Sequence, residues 1–531
     1  MATQIEAMEA NGGKDPTTFR TWIGVLGTML GGFMAVVDIQ ITNSSLRDIT
    51  GGIGVTLDEG SWISTSYLIG EIVTIPLTAW LSRVFSVRRY LLASVGLFLL
   101  FSCLCGIARS LGEMIFFRVG QGFTGGVMIP MALTVVLSTL PKNRQPLGLA
   151  LFGMTATLGP VIGPTIGGWL TDNFGWHWVF YINLFPGALM IGAIVYAIER
   201  KPMQLELLHN GDWIGISSMA IGLGSLIAML EEGQRKDWFG SEFIQRCGIL
   251  AAIFIPVFVI VELTNKKPFV NLRLLGSRNL GASCATNFVL GLALYGSVYL
   301  LPQYLTIVQG YSAFQTGLAM VWIGLPQFVI FPFVPKLMKR FDLRLLVCCG
   351  TLIFAASCWM NTSMSHDNAG DQFAVANAVR AIGQPFTIVP LASLATALLD
   401  PKYAADGSAL FNIARNLGGS VGTALLDTVI VQREQFHDFR IGEYVNPFRL
   451  AVQDRISQIS STFTAKGYDP VTATKSAYAQ LKQLVRREAY VMAFNDAFLV
   501  VMVALLMGAI LVWLCHQTTI KQRSDAGLRD H

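Results

Sequence analysis

GMTATLGPVIGPTIGG, residues 153–168, is an apolar segment in which Gly159, Gly163 and Gly167 recur every four residues. On an α-helix this spacing places the three glycines on one face, which we call the glycine ridge. Three glycines and two prolines would destabilise a helix in water. In a bilayer, small residues allow close helix packing, and neighbouring helices satisfy the disturbed backbone groups. The segment therefore predicts a membrane helix.

Two interpretations of the glycine ridge remain open. Simple helix packing explains the spacing, because small residues four apart are frequent where membrane helices meet. A hinge or sliding surface between two halves of a transporter explains it as well, and this interpretation depends on the surrounding chain. The residues of the hypothetical hinge are Gly159, Pro160, Gly163, Pro164, Gly167 and Gly168.

The composition indicates a membrane protein with many spans. Of the 531 residues, 53% are hydrophobic and 13% are charged, which is more apolar surface than one soluble core requires. The net charge is only +5, and the basic residues stand in short connectors, so we expect no nucleic-acid partner. The eight cysteines lack the CxxC spacing of a zinc or redox site. The sequence contains no GxxxxGK[ST] loop, the motif that would indicate an ATP-driven pump.

Apolar runs long enough to cross a ~30 Å hydrocarbon layer predict fourteen spans. Six lie within residues 21–200, two form an insert within 201–275, and six lie within 276–515. The predicted fold is therefore an all-α polytopic membrane protein with two six-helix bundles and two inserted helices. The spans are predicted near 22–43, 62–82, 89–109, 112–135, 147–170, 178–198, 213–232, 247–264, 280–302, 314–336, 344–361, 373–396, 407–431 and 493–515.

Basic residues cluster in alternate connectors. Arg83, Arg88 and Arg89 follow the second span, and Lys336 and Arg340 follow the tenth. Because cytoplasmic connectors are enriched in Lys and Arg, we expect these connectors, the N-terminal tail 1–20 and the C-terminal tail 516–531 to be cytoplasmic.

An internal repeat relates the two predicted bundles. Leu81, Phe85 and Arg88 recur 256 residues later as Leu337, Phe341 and Arg344. A second set recurs in the same order, with Arg118, Pro130, Pro141, Gly159 and Gly163 matching Arg380, Pro390, Pro401, Gly418 and Gly422. Repeated halves of this kind are typical of transporters.

Three ionisable residues lie inside apolar spans, where a charge costs several kcal/mol. They are Asp38, Glu71 and Arg118, each on the order of 10 to 14 Å below the outer end of its span at ~1.5 Å per residue. A carboxylate paired with an arginine in a dry site suits proton coupling, because protonation and substrate compete for one charge balance. A fixed structural ion pair between Asp38 and Arg118 is the alternative. Glu71 has a second interpretation as a carboxylate that attracts cationic substrates, with Gly70 leaving room for a ligand.

Polar residues recur in the spans of the second bundle. Individually, each favours a hydrogen bond between helices. Together with nearby aromatic residues they suit a large, weakly polar cavity for amphipathic molecules. The residues assigned to this candidate substrate cavity are Asn287, Gln303, Gln327, Gln384, Asn412 and Arg415.

The hydrophilic stretch 432–490 is predicted to be a periplasmic loop. Within it, Asp469 and Pro470 form a helix-start signal, and residues 473–487 have a helix-forming, amphipathic pattern. A solvated loop and a docking surface for an extracytoplasmic partner both fit this composition.

Several of these segments resemble signatures of the fourteen-helix drug/proton antiporter family of the major facilitator superfamily, and within it the permeases of EmrAB-type tripartite pumps. The segment GMTATLGPVIGPTIGG is similar to the antiporter motif of helix five. RVGQGFTGG is similar to the motif with a proton-relay arginine, here Arg118, and VVDIQITN to the first-helix motif with a membrane aspartate, here Asp38. GWHWVFYINLFPG resembles a further signature, which includes Asn183. The resemblance covers nearly the whole chain.

One connector departs from the family pattern. AWLSRVFSVRR has Arg83 where the superfamily usually has an aspartate, and Ala79 and Ser86 where it usually has glycines. The resemblance therefore does not transfer the cytoplasmic latch that is built on that aspartate.

The resemblance implies a proton-driven exporter of small amphipathic or toxic compounds in the bacterial inner membrane. Its energy source would be the proton gradient, without a bound cofactor or metal. A periplasmic membrane-fusion adaptor and an outer-membrane channel are the implied protein partners. Export of one endogenous metabolite or siderophore, and a non-transporting membrane sensor, are the alternatives. We expect no enzymatic activity.

Overall fold

A computed structural model describes residues 18–209, 211–265, 268–397, 399–400, 403–446 and 448–517. These residues form twenty α-helices and no β-strand. Most of the two predicted tails, 1–20 and 516–531, lies outside the described residues. The helices are α1 Phe19–Ser44, α2 Leu46–Ile53, α3 Leu57–Phe85, α4 Val87–Gly106, α5 Leu111–Gly125, α6 Met128–Thr139, α7 Gln145–Phe174, α8 Trp178–Tyr181, α9 Leu184–Ala197, α10 Glu206–His209, α11 Trp213–Glu232, α12 Glu242–Thr264, α13 Arg278–Ile307, α14 Ala313–Ile330, α15 Val334–Met338, α16 Leu343–Met360, α17 Ala374–Thr396, α18 Ala404–Tyr444, α19 Leu450–Ala465 and α20 Pro470–Leu511.

Thirteen helical segments in the described chain are long and apolar enough to cross a membrane. They correspond to thirteen of the fourteen predicted spans. The remaining span, 407–431, is helical within α18, where Arg415, Asp427 and several glycines lower its apolar character. The all-α membrane fold is therefore confirmed. We call α1–α9 the first half, α11–α12 the insert, and α13–α18 with α20 the second half.

The two halves are built by the same helix packing. A Cβ atom on Gly159 of α7 would stand 2.6 Å from the Val36 side chain of α1. In the second half, Gly418 of α18 lies against the backbone of Phe288 on α13, and Gly422 lies against Leu292. These glycines are partners in the sequence repeat, so the repeat is also a structural one.

The residues of the hypothetical hinge lie on two faces of α7 with different partners. Gly163 lies against Gln40 and Gly167 against Ser44, both on α1. The ridge therefore faces a helix of its own half and is not the surface between the halves. The opposite face of α7 meets the second half, where Gly168 lies against Phe314 and Thr165 against Gly317.

The stretch 432–490 is largely helical, and it includes the helix predicted over residues 473–487. Helix α18 extends to Tyr444, and α20 runs unbroken from Pro470 to Leu511. The predicted helix start is confirmed, because the Asp469 carboxylate accepts hydrogen bonds from the amides of Val471 (3.1 Å) and Thr472 (3.0 Å). Helix α19 packs on α20 through Ile456, Ile459 and Ala477. We call residues 450–487 the hairpin.

The insert packs against both halves. Its helix α11 contacts α3 of the first half and α18 of the second. Glu232, at the end of α11, is buried and accepts hydrogen bonds from Ser61 (3.0 Å) and Thr65 (2.7 Å) of α3. We call the side of the molecule with Arg83, Arg88 and Arg89 the basic end, and the opposite side the hairpin end.

Candidate functional site

Asp38 and Arg118 form a buried ion pair inside the first half. Arg118 Nη1 lies 2.7 Å from Asp38 Oδ2, and both residues are 0% exposed. The other carboxylate oxygen, Oδ1, accepts hydrogen bonds from Asn183 Nδ2 (2.6 Å) and Gln121 Nε2 (3.0 Å). Asp38 is therefore held by one cation and two amides, which offset part of the cost of burying its charge.

The close approach of α3 and α5 holds the Arg118 side chain against α3. A Cβ on Gly122 would collide with the backbone of Tyr67, so the glycine allows the two helices to touch. The Arg118 guanidinium lies 4.3 Å from the centre of the Tyr67 ring, and its Nε donates to the Ile63 carbonyl at 3.1 Å. The arginine thus has a partner on α1 and two on α3.

Sequence reasoning missed two members of this network. Gln121 Oε1 accepts a hydrogen bond from Arg118 Nη1 (2.7 Å), while its Nε2 also donates to Ser102 on α4 (3.2 Å). The spacing of three between Arg118 and Gln121 was the available signal, because such residues share a helix face. Ser102 gave no signal, since its role depends on where α4 packs.

Glu71 does not join this ion pair. Its Oε1 accepts a hydrogen bond from Asn416 Nδ2 of α18 at 3.1 Å, which links the two halves. Asn416 Oδ1 in turn accepts from the Tyr295 hydroxyl (3.3 Å). The expected space beside Gly70 is absent, because a Cβ there would stand 2.4–2.7 Å from the α5 backbone at Val119 and Phe123. The prediction that Gly70 leaves room for a ligand was therefore wrong.

Three of the candidate cavity residues form hydrogen bonds between helices of the second half. Gln327 Nε2 donates to Gln384 Oε1 (2.7 Å), and Asn287 Nδ2 donates to the Phe411 carbonyl (2.7 Å). All three side chains are buried. This arrangement matches the expectation of individual helix–helix bonds.

The other candidate cavity residues differ in their surroundings. Arg415 faces the first half, with its guanidinium 5.9 Å from the centre of the Phe152 ring of α7. Its Nη2 donates to Asn412 Oδ1 (2.9 Å). Gln303 is half-buried on α13. Arg415 and Asn412 thus lie beside the inter-half contact formed by Glu71.

A salt bridge joins the halves at the basic end. Arg83 Nη1 of α3 lies 3.2 Å from Asp406 Oδ2 of α18, and the Asp406 side chain is only 2% exposed. Arg83 also donates to the Phe269 carbonyl (3.3 Å), which lies between the insert and the second half. We call the Arg83–Asp406 pair the latch. The latch has its cation on the first half and its carboxylate on the second. The family pattern instead has an aspartate on the first half, at the position of Arg83.

The second half has no equivalent of the Asp38–Arg118 pair among the described residues. Arg380, the repeat partner of Arg118, is buried, and its Nε and Nη2 have no hydrogen-bond partner there. Its guanidinium lies 5.4 Å from the centre of the Phe354 ring. The buried acid–base pair is therefore a feature of the first half.

Comparisons with known proteins agree with this architecture. A model of the Major Facilitator Superfamily matches residues 28–423. The chain is 34% identical to the "Colistin resistance protein EmrB" of Acinetobacter baumannii, over 92% of this chain and 94% of that protein. It is 31% identical to the "Multidrug export protein EmrB" of Escherichia coli, over 90% and 91%. The proton:xylose symporter XylE has the same fold, with a TM-score of 0.56 and 12% identity over 95% of this chain and 98% of that one.

Proposed function

Because the chain belongs to the Major Facilitator Superfamily, we propose that it is a proton-coupled exporter of small amphipathic or toxic compounds. Its similarity to export proteins over about nine tenths of its length supports this function. The observation that supports proton coupling most directly is the Asp38–Arg118 pair, at 2.7 Å and 0% exposure.

The pair couples a proton to conformation through charge balance. When Asp38 is ionised, its charge neutralises Arg118, and the hydrogen bonds from Gln121 and Asn183 to its carboxylate are complete. Protonation of Asp38 removes that negative charge and leaves the Arg118 cation without its counter-ion in a dry site, which is costly. The protonated and ionised forms therefore favour different arrangements of α1 and α5, as alternating access requires.

We further propose that the basic end is cytoplasmic and that the protein lies in the inner membrane. The connector with Arg83, Arg88 and Arg89 supports this orientation. The hairpin would then be periplasmic and contact a membrane-fusion adaptor that leads to an outer-membrane channel. Its exposed apolar residues support a protein contact, since Leu450 is 77% and Val471 65% exposed.

The test is proton flux in proteoliposomes that contain the full-length protein. Asp38→Asn keeps the side-chain shape but removes the titrating group, so we expect substrate-driven proton flux to fall by at least about a hundredfold, while substrate exchange without a gradient persists. Asp427→Asn is the matched control, because Asp427 accepts a hydrogen bond from the Tyr299 hydroxyl (2.7 Å) and does not contact Asp38 or Arg118. Wild-type coupling in a well-folded Asp38→Asn protein would leave the pair as a structural ion pair.

A further inference from the structure

A groove of ≈ 630 Å³ lies on the outer face of the first half. Helices α4 and α5 form its walls, and Leu81 and Phe85 of α3 line its basic end. Leu97 is 45% exposed and Phe116 69% exposed, so the groove opens toward the hydrocarbon of the bilayer. Its volume is in the range of small-molecule sites, about 300–1,000 Å³.

The groove is concave because small residues stand between large ones. Ala93 and Ser94 of α4, and Gly120 and Thr124 of α5, line it between aromatic side chains. The Thr124 hydroxyl already donates to the Gly120 carbonyl at 2.8 Å. An apolar chain therefore suits this surface, because it needs no hydrogen bond along its length.

Arg89 provides a positive charge where the groove reaches the basic end. Two neighbouring arginines are occupied, since Arg83 contacts Asp406 and Arg88 Nη1 donates to the Ile198 carbonyl (3.0 Å). Arg89 lines the groove, is exposed and has no hydrogen-bond or ion-pair partner within the described ranges. The sequence repeat places Leu345 at the matching position of the second half, so this cation occurs only in the first half.

The length of the groove matches one leaflet of a bilayer. Arg89 and Phe101 are twelve positions apart on α4, which is about 18 Å along a helix at ~1.5 Å per residue. One leaflet of the ~30 Å hydrocarbon layer is about 15 Å deep. We propose that the groove binds one acyl chain of an anionic phospholipid from the leaflet at the basic end, with the lipid phosphate paired to Arg89. This proposal does not depend on the transported substrate or on proton coupling.

The experiment is native mass spectrometry of the full-length protein, titrated with phosphatidylglycerol and phosphatidylethanolamine of identical chains. We expect the first bound phosphatidylglycerol to bind about fivefold more tightly, the equivalent of the ~1 kcal/mol that one Arg gains near anionic lipid. Arg89→Gln should remove that preference and leave binding of both lipids in place. Arg340→Gln is the control, because Arg340 is an exposed arginine of the corresponding connector in the second half.

A second pair of variants tests the chain-binding part of the groove. Ala93→Phe should fill the groove and weaken the binding of both lipids at least about fivefold. Leu97→Trp is an independent variant that fills the groove, for use if Ala93→Phe does not fold. Leu100→Phe is the control, since Leu100 is exposed on α4 but does not line the groove. The proposal is overturned if Arg89→Gln keeps the lipid preference, or if both filling variants bind lipid like wild type. Displacement of the lipid by a transported compound at equal affinity would instead identify the groove as a lateral substrate entrance.

Discussion

Glu71 is a single carboxylate whose partner lies in the other half of the molecule. Glu71→Gln keeps an oxygen that can accept from Asn416 Nδ2, a contact of 3.1 Å, and replaces the other, charged oxygen with a neutral NH2 group. If Glu71 attracts cations, the KM for a cationic substrate should rise about tenfold or more, consistent with ~1.5–3 kcal/mol for a hydrogen bond to a charged group. Transport of a neutral substrate and its coupling to protons should be unchanged.

The measurement is transport in proteoliposomes with one cationic and one neutral substrate. Asp38→Asn, measured in parallel, should lose coupling with both substrates, because Asp38 interacts with Arg118 whatever the cargo. Equal loss for both substrates in Glu71→Gln, together with intact coupling in Asp38→Asn, would reverse the two assignments.

Helix α7 has two faces with different partners, and substitutions on them should differ in effect. Gly163→Leu would force a side chain into Gln40 of α1 and should destabilise the first half by roughly 1–3 kcal/mol, as overpacking usually does. Gly317→Leu on α14 would instead press on Thr165 of α7, between the halves. Each half should remain folded, while closure of the halves at the hairpin end is hindered and export falls.

Thermal unfolding and distance measurements between labels at the hairpin end separate these outcomes. A lower melting temperature is expected mainly for Gly163→Leu, and a longer label distance mainly for Gly317→Leu. A Gly163→Leu protein with normal stability but a blocked conformational cycle would favour the hinge interpretation of the glycine ridge over simple helix packing.

The latch joins three parts of the whole molecule, since Arg83 contacts both Asp406 of the second half and the Phe269 carbonyl beyond the insert. Arg83→Asp would remove the attraction to Asp406 and replace it with repulsion between two carboxylates. The basic end should then open, and export should fall. The double variant Arg83→Asp with Asp406→Arg should partly restore closure, because the pair is re-formed with reversed signs.

Distances between labels on α3 and α18 at the basic end measure this opening. Arg340→Asp is the matched control, because it makes the same change at an exposed arginine of the corresponding connector in the second half, outside the latch. A double variant that opens as far as Arg83→Asp alone would show that the Arg83–Asp406 attraction does not hold the halves together.

The hairpin projects from the membrane-spanning body, and its exposed apolar side chains are the basis of the proposed adaptor contact. Phe448, just before the hairpin, is 87% exposed and Leu450 is 77% exposed. Replacing both with Asp should lower efflux from intact cells several-fold and leave transport in isolated vesicles unchanged, because no membrane-spanning residue is altered. Ser461→Asp, an exposed polar position on α19, is the control. A matching loss in vesicles would contradict an adaptor role.

The sequence alone determined the parts of this protein that depend on local patterns. Apolar runs identified the membrane spans, because a ~30 Å hydrocarbon layer requires about twenty apolar residues in a helix. The cost of burying charge pointed to Asp38 and Arg118, and the structure places them 2.7 Å apart. The repeated glycines and arginines related the two halves, and Asp469 marked the start of α20.

Only the tertiary structure decided which residues meet across long distances in the chain. Glu71 and Asn416 are 345 positions apart, and Arg83 and Asp406 are 323 apart, so no local spacing relates them. The spacing of the glycine ridge predicts close packing, but the arrangement of the helices selects α1 as its partner. Within 432–490 the amphipathic pattern predicted a helix over 473–487, but it did not predict α19. Helix α19 forms because it buries its apolar face on α20, and a helix in water needs only one such face.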